Sequence, residues 1–126
     1  MRFRAAAEPA ALPGLRAELR AFLEQVGASE DLRFDVMLAV SEAANNVLQH
    51  AFRHRAAPGA LRVAATAQGG TLRVVIADDG GGLAPRTDSP GAGLGLPLMA
   101  RLAHDLEVGR LESGGTEVAM TWRTAG

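Results

Sequence analysis

The chain has 126 residues, 48% of them hydrophobic, a formal net charge of −1, and no cysteine. That is room for a single domain over 1–126 with one core. Its basic residues are scattered arginines and form neither a nucleic-acid surface nor a polybasic membrane patch, and disulfides and thiolate metal sites are excluded.

No apolar run approaches the roughly 18 residues of a membrane span and no signal-peptide pattern opens the chain, so the expected location is cytoplasmic. Residues 2–6 form a weak strand candidate, and 8–12 read as a linker ahead of Pro13, which suits the first turn of a helix. Leu15, Leu19, Phe22, Leu23 and Val26 then recur at helical spacing, with Gly27 as the stop signal. Ser29 is placed to cap a second helix whose first turn carries Glu30 and Asp31, the sign the helix dipole favours. Leu32, Val36, Ala39, Val40, Ala43 and Val47 form its apolar stripe.

The polar residues of that helix are less ordinary. Glu42, Asn46 and His50 are spaced by four and form one stripe, with Asn45 and Gln49 beside it. A solvated helix face explains such a stripe as well as a ligand site does. Solvated faces usually carry Lys, Arg and Glu, however, and asparagine is a poor residue in mid-helix because its side chain competes for backbone hydrogen bonds. The Asn45-Asn46 pair therefore hints at a purpose.

Residues 61–67 and 71–77 read as strands joined through Gln68, Gly69 and Gly70, a hairpin signal, and form the centre of the sheet. At the end of the second strand Asp78 opens the run Asp-Asp-Gly-Gly-Gly-Leu, in which Gly80 and Gly82 let backbone approach a flat ligand. A polar loop over 83–90 leads to Gly91, Gly93, Leu94 and Gly95, which precede a helix predicted over 94–103. Bare amide groups at such a helix start, with the positive end of its dipole, attract phosphate. Either glycine cluster alone is also ordinary turn chemistry. The spacing fits neither the P-loop nor the dinucleotide fingerprint. Residues 105–111 and 116–123 then form a second hairpin, with Val118, Met120 and Trp122 on one face. Segregated helices and hairpin-linked strands predict an α+β fold: a two-layer α/β sandwich whose mixed, mostly antiparallel sheet carries the helices on one face.

Four motifs occur in one order: Ser41-Glu42-Ala43-Ala44-Asn45-Asn46 with His50, Asp78-x-Gly80-x-Gly82, the glycines 91 to 95, and Gly114-Gly115-Thr116. Together they resemble the ATP-binding boxes of the superfamily that joins gyrase, the heat-shock chaperone, histidine kinases and mismatch-repair ATPases, the GHKL group with the Bergerat fold. The resemblance spans roughly 12–122. Within it, the Ser-Glu-Ala-x-x-Asn box and the Gly-Leu-Gly-Leu-Pro-Leu-Met run are most similar to bacterial anti-sigma factor serine-protein kinases.

This resemblance implies ATP and Mg²⁺ as ligands. Asp78 would accept a hydrogen bond from the adenine amino group, which a guanine carbonyl could not supply. Thr116 would bond toward adenine, and Asn46 would give Mg²⁺ a neutral oxygen. The 83–90 loop and the second glycine cluster would close over the phosphates. Glu42 would take the proton of an attacking serine hydroxyl, or would only hold its neighbours in place. His50 completes the stripe either as a site residue or as a half-buried packing residue. Relatives often carry a lid arginine where this chain has Gly91 and Ala92; Arg86 is the candidate substitute.

The activity implied is serine/threonine phosphorylation of an anti-sigma factor antagonist, with sequestration of a sigma factor and, as is common in such proteins, pairing of two copies of the chain. The resemblance implies no direct contact with nucleic acid or membrane. The competing readings are an ATP-dependent binding module without transfer and a detached histidine-kinase catalytic domain.

Overall fold

The computed structural model describes residues 1–54, 59–78, 101–110 and 116–124, with the side chains of 50–54 and 110 left aside. Strand β1 (Arg2–Ala6) leads through a short 3-10 turn (Pro9–Ala11) into helix α1 (Leu12–Gln25) and helix α2 (Glu30–His54). Strands β2 (Ala60–Gln68), β3 (Thr71–Asp78), β4 (Asp105–Arg110) and β5 (Thr116–Arg123) follow. They form one five-stranded sheet in the order β1-β2-β3-β5-β4, and every described pair is antiparallel. The fold is α+β with the helices on one face, as predicted.

Local chemistry explains most element boundaries. Pro13 sits in the first turn of α1, where a missing N–H costs nothing. Gly27, at φ 75°, ends the helix in the left-handed region that glycine alone adopts freely. Ser29 Oγ accepts the Leu32 N–H at 3.1 Å and so caps α2. Gly69 and Gly70, at φ 59° and 78°, make the two-residue turn that fixes the β2–β3 register at Gln68 opposite Thr71. One expectation needs correcting: 8–12 is no plain linker, since Pro9–Ala11 turns as a 3-10 helix and Leu12 is already a buried residue of α1. The other is Val26, which follows the helical spacing of its neighbours yet is 40% exposed, because the chain has left the helix by that point.

The core lies between the helices and the inner face of the sheet. Leu15, Leu19 and Leu23 of α1 and Val36, Val40, Ala43 and Val47 of α2 meet Leu61, Val63, Leu72, Val74, Ile76, Val118, Met120 and Trp122. Truncating one of the fully buried leucines to alanine is expected to cost about 2–5 kcal/mol. Trp122 is 1% exposed, and its indole N–H reaches the Leu102 carbonyl at 2.9 Å. That bond ties the chain segment entering β4 to the end of β5.

Candidate nucleotide site

Asp78 closes β3 and is 1% exposed; among the described residues it is the one buried charged side chain. A carboxylate is carried out of water at a cost that hydrogen bonding must offset. Its alternation with Ile76 and Val74 puts it on the inner face, the face covered by the helices. Leu61 lies directly across from it on β2. On the other side Glu117 pairs with Ala77, so Thr116, one residue earlier, lies alongside Asp78 at the same end of β5. The antiparallel register thus brings together two residues 38 positions apart in the sequence.

Helix α2 packs on β3 and β2. It buries Ala43, Ala44, Val47 and Leu48 and leaves Glu42, Asn45 and Asn46 half-buried between core and surface. Glu42 and Asn46 are one turn apart, about 6 Å along the axis. The Asn46 Nδ2 is buried and has no hydrogen-bond partner among the described residues. An orphaned buried amide costs roughly 1–3 kcal/mol, a debt that a bound ligand would remove. With no partner fixing the amide, either of its ends can be turned to a ligand: the N–H₂ toward a phosphate oxygen, or the carbonyl oxygen toward a cation.

Ser41, beside Glu42, accepts a hydrogen bond from Arg16 Nε of α1 at 3.3 Å. The sequence does not announce this contact, since Arg16 lies on a helix whose polar side reads as a solvated face. Position 50 continues α2 at the right spacing, and the side chain of His50 lies outside the described residues. So do Gly80, Gly82, Gly91, Gly93, Leu94, Gly95, the 83–90 loop with Arg86, and Gly114-Gly115. Of the helix expected over 94–103, only 101–102 are described as helical, and 103 is already in a bend.

The residues present fit a nucleotide with its cation. A buried carboxylate suits the amino edge of a purine, and a neutral amide one helix away suits the phosphates or a divalent ion. Among the described residues no three His, Asp or Glu side chains gather. The carbonyl oxygen of Asn46 is of the neutral, hard kind that Mg²⁺ accepts, an ion that takes few protein ligands and bridges phosphate oxygens. No helix among the described residues is long and apolar enough to cross a membrane.

An antiparallel sheet roofed by two helices, with a buried acid at the end of the central strand and an Asn-bearing helix packed on it, is an α+β arrangement of the histidine kinase-like ATPase type. The chain belongs to the histidine kinase-like ATPase domain family, whose model matches residues 5–122. It is similar to the crystal structure of the RsbU and RsbW domains of Rv1364c from Mycobacterium tuberculosis, with a TM-score of 0.75, 26% identity and 98% of this chain covered. The chain spans 31% of that protein's length. It shares its fold with the SiaB-SiaC complex from Pseudomonas aeruginosa, with a TM-score of 0.76, 18% identity, and 96% of this chain and 88% of that one covered.

Proposed function

We propose that this domain is an ATP-dependent protein serine/threonine kinase of the anti-sigma type, which phosphorylates an anti-sigma factor antagonist and sequesters a sigma factor when that antagonist is not available. The observation that carries the reading is the pairing of the buried Asp78 carboxylate with the orphaned buried amide of Asn46 on the helix that also bears Glu42. The similarity to the RsbW-containing structure supports the choice of protein substrate.

In this reading Asp78 accepts the adenine amino group, and Thr116, beside it on β5, bonds toward the same base. Asn46 would hold Mg²⁺ against the phosphates, and the ion would supply neutralisation of phosphate charge. His50 and the glycines at 80, 82, 91, 93 and 95, with Leu94, complete the nucleotide contacts. Glu42 accepts the proton of the substrate serine as its oxygen bonds to the γ-phosphorus and the bond to the β-phosphate oxygen breaks, releasing ADP. Incubation with labelled ATP and candidate antagonist proteins tests this. Acid-stable phosphoserine or phosphothreonine on a partner is the expected product; phosphohistidine, or binding without transfer, would contradict it.

A further inference from the structure

Helix α2 carries a strip that neither the core nor the nucleotide site uses. Phe34 is 67% exposed, the most exposed large apolar side chain among the described residues. Leu38, one turn further on, is half-buried and, unlike Leu32 and Met37, does not pack against the described core. Asp31, Asp35, Leu38 and Glu42 follow one another at intervals of four, three and four, so they share one side of the helix, with Phe34 at its edge. The helix dipole accounts for Glu30 and Asp31 in the first turn, but its pull has faded by Asp35. Arg33, the arginine of this stretch, is engaged elsewhere: its guanidinium donates to the Ala28 carbonyl at 2.7 Å. The strip is therefore apolar along its middle, acidic beside it, and continuous with Glu42.

We infer that this strip docks the segment of the protein substrate that carries the acceptor hydroxyl, and that it selects a segment with an apolar residue flanked by Lys or Arg. The inference rests on the reading of Glu42 as the base and adds to it how the substrate is chosen. Phe34 lies eight residues before Glu42, about 12 Å along the helix axis. An extended chain rises about 3.3 Å per residue, so a segment that sets its hydroxyl at Glu42 reaches Phe34 in roughly three to four residues. An apolar side chain at that distance covers the Phe34 ring and the exposed side of Leu38, while basic neighbours face Asp31 and Asp35. Charge selects this occupant. An acidic segment is repelled by Asp31, Asp35 and Glu42 together, and a purely apolar one strips water from those carboxylates without replacing it. A lone exposed apolar residue is ordinary on a protein surface, but here a second one stands on the turn between it and Glu42.

Two apolar side chains and two carboxylates cover far less than the roughly 800 Å² per partner of a standard interface, so the contact is that of a transient substrate encounter and weakens with salt. It acts on substrate capture and not on the transfer step, so its loss raises KM and leaves kcat nearly unchanged. Phe34 and Asp35 are thus specificity residues and not catalytic ones.

Short fluorescent serine peptides, with leucine at that spacing on one side or the other of the serine and lysines beside the leucine, are the probes. Their anisotropy on titration with the purified chain at low salt measures docking apart from transfer. Binding of at least one orientation is expected, weakened about tenfold by Phe34→Ser, by Asp35→Lys, and by replacing the peptide leucine with serine or its lysines with glutamate. The glutamate peptide should recover affinity for the Asp35→Lys chain. With ATP present, Phe34→Ser should raise KM for the bound peptide about tenfold and change kcat by less than about twofold. Near-parental melting temperatures and unchanged stabilisation by ATP in the variants keep the fold and the nucleotide site out of the comparison. A peptide that binds through Phe34 yet receives no phosphate supports the docking strip and counts against the kinase reading alone. No binding of any peptide, or binding indifferent to Phe34→Ser and to the charge reversal, overturns the proposal.

Discussion

Arg16 Nε donates to Ser41 Oγ at 3.3 Å, and through that bond helix α1 is fastened to helix α2 at the residue before Glu42. The contact is half-buried, and a hydrogen bond to a charged group in such a place contributes on the order of 1 kcal/mol. Arg16→Ala and Ser41→Ala should each lower stability by about that amount, and together by less than the sum. A double-mutant cycle in urea should return a coupling of about 0.5–1 kcal/mol. Strictly additive losses would show that the two side chains do not act on each other.

The buried carboxylate makes a prediction about base selectivity. ATP with Mg²⁺ should raise the melting temperature and GTP should not, because in the proposed binding mode the buried Asp78 carboxylate would accept from an amino group and repel a carbonyl. At a hundred times its dissociation constant a ligand stabilises by about 2.7 kcal/mol, a shift of several degrees. Asp78→Asn should fold and lose that shift. Equal stabilisation by both nucleotides would remove Asp78 from the base-binding role.

The β2–β3 turn offers a test of backbone strain with no packing contribution. A Cβ at Gly69 would meet nothing within 4 Å, while its φ of 59° penalises any side chain. Gly69→Ala should therefore cost about 1–2 kcal/mol, and Gly69→Asn less, since asparagine tolerates the left-handed region. Urea unfolding of the two variants decides this; equal stability of Gly69→Ala and the parent chain would mean that the turn relaxes to another type.

Much of this architecture is legible because it rests on local rules. The Ser29 cap, the Gly27 stop, the Gly69-Gly70 turn and the alternating Val118, Met120 and Trp122 each follow from a residue type at a fixed offset. What was not legible depends on partners far apart in the chain. Nothing in the sequence pairs Arg16 with Ser41, or Trp122 with the Leu102 carbonyl, because no periodicity links them. Val26 misled for the opposite reason: its spacing continues the helical face, while Gly27 ends the helix before that face is buried. At the site, spacing alone put Glu42 and Asn46 on one helix face, whereas the neighbourhood of Asp78 and Thr116 is a consequence of the β3–β5 register.

The central claim, that the helix face bearing Glu42 and Asn46 performs phosphoryl transfer, is tested most directly by one paired measurement. Nucleotide affinity and phosphate transfer to the same antagonist protein are measured for Glu42→Gln and Asn46→Ala beside the parent chain. Glu42→Gln keeps volume and hydrogen bonding while removing basicity, so transfer should fall by about 10² or more with nucleotide affinity nearly unchanged. Asn46→Ala should weaken Mg²⁺-dependent nucleotide affinity and transfer together. Transfer at the parent rate by Glu42→Gln would contradict the account and leave a nucleotide-binding domain without a catalytic base.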